Sequence, residues 1–282
     1  MKTIIIDSNC LGYIAKYSKG GLSYGEMETG VIFGFLEAIK NLSKRFDTKE
    51  FIFCWDSKKS KRRKLYPEYK ANRNINRTET EQIEDNITYR QFYDLRTLVL
   101  PKLGFKNIFI QTGYESDDLI AILVEHILRH SLVVTNDDDL LQLLNYCDIY
   151  NPRTKKIIDY GTFESLYGIA PSICPSVKAL AGCISDNIKG VEGVGKAKAL
   201  AFIKNKLSEG KIKDRILNSN DILKRNFPLI RLPLKGTVLP IIQKDEKFYV
   251  DNFIDIFEKY NFKSFLKKEN FVQWCELFKM EQ

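Results

Sequence analysis

The stretch VVTNDDDLLQLL, residues 133–144, decides the fold prediction because three consecutive aspartates follow a short apolar run. Val133 and Val134 are β-branched residues typical of a strand, and Asp137, Asp138 and Asp139 come soon after them. Carboxylates at the exit of a buried strand are costly unless they keep their water or meet a counter-charge. They either cap the first turn of a helix DDLLQLL, which this stretch alone favours, or hold a divalent metal ion.

Apolar runs and helical patterns alternate on both sides of this stretch. The predicted strands cover residues 3–7, 51–56, 106–110, 131–135 and 147–151. The predicted helices cover residues 31–46, about 80–100 (ended near Pro101 and Gly104) and 115–130. Strands that alternate with helices of this length indicate an α/β fold with a mostly parallel sheet flanked by helices.

The chain changes character at about Phe163, where it becomes mostly helical in pattern and rich in lysine. We therefore predict an α/β domain over residues 1–165 and a helical region over residues 166–282. The second part is either a smaller helical domain or a helical extension of the first.

Acidic side chains follow the predicted strands at the point where each strand ends. These carboxylates are Asp7, Asp56, Glu115, Asp117, Asp118, Asp137 and Asp139. Because the carboxyl ends of parallel strands meet at one edge of a sheet, we expect these side chains to converge there. Their mutual repulsion would raise their pKa values and destabilise the fold. Mg²⁺ prefers oxygen ligands and removes this conflict, so the pattern predicts a magnesium site.

Other residue types offer weaker metal sites. His126 and His130 lie four residues apart on a predicted helix, but no carboxylate pattern accompanies them, which favours a solvated helix face. The six cysteines are scattered without a CxxC pair, so neither a zinc site nor a disulfide framework is expected.

The overall composition is that of a folded protein with a sizeable core. The 282 residues are 44% hydrophobic and 28% charged, which fits one large domain or two. No apolar run approaches the roughly 20 residues of a membrane span, and MKTIIIDSN is too short for a signal peptide. We expect a cytoplasmic protein (in the host cytoplasm if the chain is viral) without membrane contacts.

The formal net charge of +8 is concentrated in one segment. Residues 57–77 contain nine lysines and arginines against a single acid, Glu68, while the rest of the chain is nearly neutral. Such a block is usually a solvated surface or a disordered tail. Here Tyr66 and Tyr69 interleave with the cations inside the fold, which favours a nucleic-acid contact through phosphates and stacked bases.

A glycine cluster, GVEGVGKAKA at residues 190–199, predicts a tight turn between two helices. A dinucleotide loop is not expected because no strand precedes Gly190, Gly193 and Gly195. Lys196 and Lys198 begin the second helix, whose exposed amides could bind one phosphate. This arrangement is a helix-hairpin-helix over residues 177–204, which contacts the DNA backbone without reading sequence. An ordinary helix-helix turn is the alternative.

Five of these motifs together resemble the structure-specific 5′ nucleases: flap endonucleases, the 5′ nuclease domain of bacterial DNA polymerase I and the bacteriophage 5′-3′ exonucleases. The matching motifs are IIIDSNCLGY (4–13), FCWDSKKSKRRKLYPEYKANR (53–73), GYESDDLIA (113–121), VVTNDDDLLQL (133–143) and LAGCISDNIKGVEGVGKAKAL (180–200). They follow one another in the order of the family and cover most of residues 1–203.

The resemblance implies a PIN-like fold and a Mg²⁺-dependent phosphodiesterase, with Mn²⁺ as a substitute, that acts on 5′ flaps, nicks and free 5′ ends of DNA. It implies a two-metal mechanism, a role in replication and RNA primer removal, RNA/DNA hybrids as further substrates, and a monomer. One metal would be held by Asp7, Asp56, Glu115, Asp117 and Asp137. A second metal would be reached by Asp118, Asp139 and Asp186.

The resemblance also implies roles for the basic segment and the hairpin. Arg62 and Lys70 match catalytic cations near the scissile phosphate, and Tyr69, Lys70 and Arg73 match DNA contacts. Residues 58–97 would form a helical arch that admits single-stranded 5′ ends as a cationic threading surface opposite the acidic edge. The hairpin, through the three glycines and two lysines named above, would hold duplex DNA and a potassium ion.

Two positions depart from the family pattern. The family usually reads G-D-x-x-D-N before the hairpin, and Cys183 stands here where the first aspartate is expected. A thiol is a poor Mg²⁺ ligand, so the second site should be weaker or rely on Asp118, Asp139 and Asp186. Ile14 stands where the phage enzymes often have a basic residue.

Two other functions were weighed against this one. A PIN-like ribonuclease would use the same acidic edge on single-stranded RNA, but the arch and hairpin motifs argue for duplex DNA with a 5′ end. A DNA-binding protein that has lost catalysis would explain Cys183, but the intact first set of carboxylates argues against it.

Overall fold

The computed structural model describes residues 2–75 and 77–282. The strands are β1 (Ile4–Asp7), β2 (Ser23–Tyr24), β3 (Met27–Glu28), β4 (Phe51–Trp55), β5 (Ile108–Ile110), β6 (Leu132–Val134), β7 (Asp148–Asn151), β8 (Lys156–Ile158), β9 (Gly182–Cys183) and β10 (Ile188–Lys189). The helices are α1 (Ser8–Lys19), α2 (Gly30–Phe46), α3 (Lys61–Leu65), α4 (Glu79–Asp94), α5 (Leu100–Leu103), α6 (Ser116–His126), α7 (Tyr160–Tyr167), α8 (Cys174–Ala181), α9 (Lys196–Ile203), α10 (Lys211–Leu217), α11 (Asn220–Ile230), α12 (Val250–Lys259), α13 (Lys263–Leu266) and α14 (Lys268–Phe278). None of these described helices is long and apolar enough to cross a membrane.

The central sheet has the strand order β5-β4-β1-β6-β7-β8. The first five strands in this order pair in parallel, and β8 alone runs antiparallel to its neighbour. The predicted α/β fold with a mostly parallel sheet is therefore confirmed. The parallel pairing also brings the carboxyl ends of β1, β4, β5 and β6 to one edge, as the sequence predicted.

Both faces of the sheet are buried, which explains why its strands read as continuous apolar runs. Successive residues of β1 point to opposite faces, so Ile4 and Ile6 join one core while Ile5 joins the other. The first core is covered by α1 and α2, and the second by α6. Asp7, Asp56 and Asp137 thus end or follow strands whose residues are all buried.

The C-terminal helices share a core with the sheet. Phe253, Trp274 and Phe278 are fully buried in the same cluster as Ile4 and Phe51, which lie on β1 and β4. The predicted division near residue 165 therefore does not separate two hydrophobic cores. A third cluster joins α8, α9 and α10 instead, and it forms the base of the glycine turn.

One helix is shorter than predicted. The helix predicted over 115–130 ends at His126, and His130 adopts a positive φ of 66° on the way into β6. The two histidines therefore do not share a helix face.

The long helix predicted to end near Pro101 and Gly104 does end there. It runs from Glu79 through a π-helical segment, Leu95–Val99, to Leu103, and Gly104 is its C-cap. Pro101 is accommodated in the first turn of α5.

Candidate active site

Asp7 is tied to two neighbouring elements of the acidic edge. It ends β1 and caps α1 by accepting a hydrogen bond from the Cys10 amide at 3.2 Å. Its two carboxylate oxygens also accept from the Ser116 hydroxyl at 3.1 Å and the Thr135 hydroxyl at 2.9 Å. Ser116 begins α6 and Thr135 follows β6, so these hydroxyls fix Asp7 between the two elements.

Ser116 and Thr135 were not recognised from the sequence. The Ser116 amide also donates to Asp56 at 2.7 Å, so this residue links the carboxylates of β1 and β4. The only sequence signal was a hydroxyl residue directly beside each acidic motif, and such residues are common at helix starts for capping reasons alone.

Four of the predicted ligands have no cationic partner. These residues, called the unpaired carboxylates below, are Asp7, Asp56, Asp117 and Asp137. In residues 2–75 and 77–282, no lysine, arginine or histidine nitrogen lies within 4.0 Å of their oxygens, whereas every other predicted ligand has such a contact. They instead accept hydrogen bonds from neutral hydroxyl and amide groups.

Burial and mutual repulsion both act on Asp7, Asp56 and Asp117, three of the unpaired carboxylates. Burial, followed by the charge of Asp56, raises the pKa of Asp7 from 3.8 to about 7. Burial, followed by Asp137 and Asp7, raises the pKa of Asp117 well above its usual value. The pKa of Asp56 is also raised, by burial and then by the charge of Glu115. Proximity of like charges in a partly buried site is the situation that a divalent cation relieves.

The metal geometry itself is not preformed. Within the part of the chain that the structure describes, no three histidine, cysteine, aspartate or glutamate side chains are arranged to hold one metal ion. The ligand sets implied by the resemblance therefore stay predictions. The chemistry of the donors nevertheless fits a hard divalent cation, because four carboxylates without counter-charge are a set of oxygen ligands.

Asp118 and Arg62 form a buried ion pair. The Arg62 guanidinium donates two hydrogen bonds of 2.7 Å to the Asp118 carboxylate, and both side chains are at most 2% exposed. Asp118 also accepts from the amides of Glu115 at 3.1 Å and Leu234 at 2.9 Å. All acceptor positions of the Asp118 carboxylate are thus filled. In this arrangement Asp118 pairs with Arg62 instead of a metal ion, and Arg62 pairs with Asp118 instead of a phosphate.

Lys70 and Tyr69 both contact Glu115. The Lys70 ammonium lies 2.9 Å from one Glu115 oxygen, and the Tyr69 hydroxyl donates to the other at 3.1 Å. Tyr69 is only 3% exposed, so its ring is not available to stack on a base in this arrangement. Part of the basic segment therefore docks onto the acidic edge instead of lying opposite it. Its exposed cations are Lys58, Lys59, Lys61, Arg63, Lys64, Arg73 and Arg77.

Asp139 and Asp186 are held by basic side chains. The Lys178 ammonium contacts Asp139 at 2.5 and 2.6 Å and Asp186 at 3.2 Å, and Arg73 contacts the second oxygen of Asp186 at 3.0 Å. The Cys183 thiol lies 3.4 Å from Asp186. Lys178 was not singled out from the sequence, because nothing in its helix distinguishes it from a surface lysine.

A cavity of about 320 Å³ opens beside these acidic groups. Its lining includes Asp137, Asp139 and Lys178 as well as the aromatic side chains of Phe163 and Tyr167. A lining that combines charged and apolar side chains is typical of ligand-binding cavities.

The glycine turn lies between α8 and α9, but the short antiparallel pair β9–β10 precedes it, so the prediction that no strand comes before Gly190 was wrong. Gly193 has a positive φ of 74°, and a β-carbon on Gly190 would lie 2.3 Å from the backbone carbon of Ala181, so both positions require glycine. Gly195 caps α9, and Lys196 and Lys198 are exposed. The Lys198 ammonium donates to the Gly193 carbonyl at 2.9 Å. Phosphate and potassium binding at this turn stay predictions.

Comparison with known proteins agrees with this architecture. Residues 2–168 match the family model of the 5′-3′ exonuclease N-terminal resolvase-like domain. A 5′-3′ exonuclease of Buchnera aphidicola (subspecies Acyrthosiphon pisum) is 31% identical over 241 residues, which is 83% of this chain and 80% of that protein. DNA polymerase I of Mycobacterium leprae is 31% identical over 213 residues, which is 71% of this chain and 22% of the polymerase.

Solved structures share the fold at lower identity. The T5 5′-exonuclease with bound divalent zinc ions superposes with a TM-score of 0.71 at 23% identity, covering 92% of this chain and 97% of that one. The same fold, with a TM-score of 0.70 and 23% identity over 93% and 96% of the two chains, is seen in the bacteriophage T5 flap endonuclease in a pseudo-enzyme–product complex with DNA and metal ions.

Proposed function

The chain belongs to the 5′-3′ exonuclease family, a family of hydrolytic nucleases, and from that premise we propose that it is a Mg²⁺-dependent nuclease of DNA 5′ flaps, nicks and free 5′ ends. The observation that carries the proposal is the set of unpaired carboxylates at the carboxyl edge of a parallel sheet. Helix capping accounts for Asp7 and Asp137 in part, but it does not explain why four acidic side chains without a cation partner are placed where they repel one another.

Asp7, Asp56, Asp117 and Asp137 would hold the divalent ion, and Ser116 and Thr135 would keep Asp7 in position through their hydroxyls. When bound, such an ion activates a water molecule as nucleophile and stabilises charge on the scissile phosphate. Mn²⁺ has similar ligand preferences and should substitute for Mg²⁺. The T5 5′-exonuclease with bound zinc ions is an example of divalent ions in this fold.

The DNA would lie across two cationic surfaces. The exposed lysines of the basic segment, such as Lys58, Lys59 and Lys64, would attract a single-stranded 5′ end to the acidic edge. The amides at the start of α9, with Lys196, would bind a phosphate of the duplex. A potassium ion at the Gly193 carbonyl would require Lys198 to move, because its ammonium already binds that oxygen.

We further propose that the chain acts as a monomer in replication, on RNA/DNA hybrids as well as DNA.

The two-metal scheme of the family would need a second ion near Asp139 and Asp186, whose oxygens are already paired with lysine and arginine side chains.

Cleavage of an end-labelled 5′-flap duplex, with single-stranded DNA, blunt duplex and RNA controls in Mg²⁺, Mn²⁺ and EDTA, tests the proposal. Cutting near the flap junction that is lost in EDTA is the expected result. Binding without cutting in every metal would contradict it and identify a structure-specific DNA-binding protein. Cutting of single-stranded RNA alone would identify a PIN-like ribonuclease.

A further inference from the structure

Asp139 and Asp186 are both paired with the ammonium group of Lys178. Lys178 Nζ lies 2.6 and 2.5 Å from the two Asp139 oxygens and 3.2 Å from Asp186 Oδ2. An ammonium group has three N–H donors, and each of them meets one carboxylate oxygen here. The remaining Asp186 oxygen accepts from Arg73 at 3.0 Å. This pair of carboxylates is therefore neutralised without any external ion.

The unpaired carboxylates are different in this respect. Asp7, Asp56, Asp117 and Asp137 have neutral hydrogen-bond donors and no cationic nitrogen within 4.0 Å in residues 2–75 and 77–282. The acidic edge thus divides into one group that lacks a counter-charge and one group that already has it. The binding free energy of a divalent ion should be most favourable at the first group. At the second group the ion would have to compete with two protein cations.

The remaining donor near Asp186 is also unsuited to a divalent ion. The Cys183 thiol stands where the family resemblance expects an aspartate, and it lies 3.4 Å from Asp186 and 3.1 Å from the Ser185 hydroxyl. A thiol is a soft ligand, whereas Mg²⁺ requires oxygen. The residues present therefore do not fit a second hard cation, because they are two paired carboxylates and a thiol.

We propose that Lys178 replaces a second divalent ion, so that the chain works with one divalent ion at the unpaired carboxylates and a built-in ammonium beside it. The inference rests on the proposed nuclease function. Lys178 and Cys183 lie on α8 and on β9 directly after it, so the loss of one carboxylate and the presence of the ammonium are features of one short segment. With DNA bound, the ammonium would exchange its longest contact, the one of 3.2 Å with Asp186, for a non-bridging oxygen of the scissile phosphate and stabilise the developing charge there.

Counting Mn²⁺ ions bound per chain tests this directly, by calorimetry or by the electron paramagnetic resonance signal of free Mn²⁺. We expect one ion on the wild-type protein, and two on the double variant Lys178→Met with Cys183→Asp, which removes the ammonium and restores a carboxylate. Lys224→Met, the same substitution at an exposed lysine of α11, should leave one ion bound.

The dependence of the cleavage rate on Mg²⁺ concentration is a second measurement of the number of ions used, made with DNA bound. The wild-type rate should rise with the first power of the Mg²⁺ concentration below saturation, and the rate of the double variant with the second power. Lys178→Met alone should slow cleavage by about 10²-fold, as for loss of one transition-state donor. Lys178→Arg should recover part of that loss because it keeps the charge.

The outcomes separate this inference from the proposed function. Two Mn²⁺ ions on the wild-type protein, or a second-power Mg²⁺ dependence of its cleavage, would overturn the role of Lys178 and leave the nuclease proposal standing. A double variant that folds and still binds one ion would also overturn it. If the wild-type protein binds no ion and cuts no flap, both proposals are wrong.

Discussion

Asp137 caps a helix and is also one of the four carboxylates that have no cationic partner within 4.0 Å in the described residues. Its side chain accepts a hydrogen bond from the Asp139 amide at 2.8 Å and caps the 3-10 helix Asp138–Leu143. The capping interpretation of the DDD run is therefore confirmed, but it accounts for one oxygen of one aspartate. The charge of Asp137 also contributes to the raised pKa values of Asp7 and Asp117, so Asp137 interacts electrostatically with both carboxylates.

Asp137→Asn should abolish cleavage of a 5′-flap duplex while DNA binding stays within about twofold of wild type. Asparagine keeps the oxygen that caps the 3-10 helix, so the fold should survive, but it removes the negative charge that a divalent ion requires. Cleavage rates and a binding titration on the same labelled flap measure the two effects.

Asp138→Asn is the matched control, because Asp138 is exposed and is the first residue of the 3-10 helix that Asp137 caps. It should retain near wild-type cleavage. Full activity of Asp137→Asn would mean that the DDD run has only its capping role, and equal losses in the two variants would indicate a non-specific charge effect.

At this scale, the sequence predicted where carboxylates collect but not how each is used. All of the predicted acids from Asp7 to Asp139 lie at or near the strand ends, because strand direction fixes that edge. Whether an acid meets a metal or an arginine depends on side chains from distant parts of the chain. Asp118 is paired with Arg62, 56 residues away, and no local pattern signals that pairing.

Among the elements, α3 is fixed by a single buried cation. Arg62 lies at 2% exposure, donates two hydrogen bonds to Asp118 on α6 and one of 2.9 Å to the Leu229 carbonyl on α11. The rest of this five-residue helix is exposed, so the ion pair is its buried anchor, and the contacts of Lys70 and Tyr69 with Glu115 hold the following part of the basic segment.

Arg62→Met should lower the free energy of unfolding by about 3–5 kcal/mol, because it leaves the Asp118 carboxylate buried without its partner. Urea denaturation followed by circular dichroism measures the loss. Lys64→Met, an exposed position on the same helix, should change stability by less than about 0.5 kcal/mol.

The double variant Arg62→Met with Asp118→Asn should recover part of that loss, since it removes both buried charges and keeps one acceptor oxygen near the Glu115 and Leu234 amides. A single variant as stable as wild type would show that the pair contributes little. A double variant less stable than the single one would assign the effect to lost packing instead of the uncompensated charge.

The glycine turn depends on the close approach of its two arms. Gly190 packs against the backbone of Ala181 and Gly182, where a β-carbon would lie 2.3–2.4 Å from main-chain atoms. Gly195, five residues later, has no atom within 4 Å of the corresponding position and a negative φ of −94°. The two glycines therefore differ sharply in the space that they require.

Gly190→Ala should weaken binding to duplex DNA by about tenfold or more, because the arms of the turn must separate and the amides before α9 move away from their phosphate. Gly195→Ala should bind as wild type does, since alanine keeps the backbone amide. Fluorescence anisotropy of a labelled duplex measures both. Equal binding by the two variants would exclude the turn as a duplex-binding site.

Helices and strands were predicted well where the pattern was local and poorly where the chain had to accommodate a neighbour. The parallel strands and the two helices of the glycine turn follow from apolar runs and from glycine positions. The 3-10 form of Asp138–Leu143, which packs against α6 and α8, and the early end of α6 at His126 do not. The helical pattern itself was present in both cases.

The whole molecule is held together by an aromatic core that joins its two ends. Phe253, Trp274 and Phe278 pack with Phe51 and Phe105 against one face of the sheet. The sequence motifs end near residue 203, so the role of residues 248–278 could not be predicted from them. Their aromatic spacing indicates burial but does not identify the surface that they cover.

The acidic edge should make the stability of the metal-free protein fall as pH rises. Because the pKa of Asp7 is raised to about 7 from 3.8, the folded form binds a proton more tightly than the unfolded chain. This stabilisation is fully present below about pH 4 and is lost as pH rises toward 7. From pH 5.5 to 8 the loss at Asp7 is roughly 2 kcal/mol, and a bound divalent ion should restore it.

Thermal unfolding in EDTA and in Mg²⁺, at pH 5.5 and at pH 8, measures both parts of this prediction. Mg²⁺ should raise Tm by several degrees at pH 8 and by much less at pH 5.5, since protonated carboxylates do not bind it. Asp7→Asn should reduce the dependence on pH and on Mg²⁺, with the remainder due to Asp56 and Asp117, whereas Glu26→Gln, at an exposed position in a loop, should leave both intact. If Tm in EDTA is higher at pH 8 than at pH 5.5 and Mg²⁺ has no effect on it, the acidic edge is stabilised without a metal, and the carboxylates at the strand ends serve the fold alone.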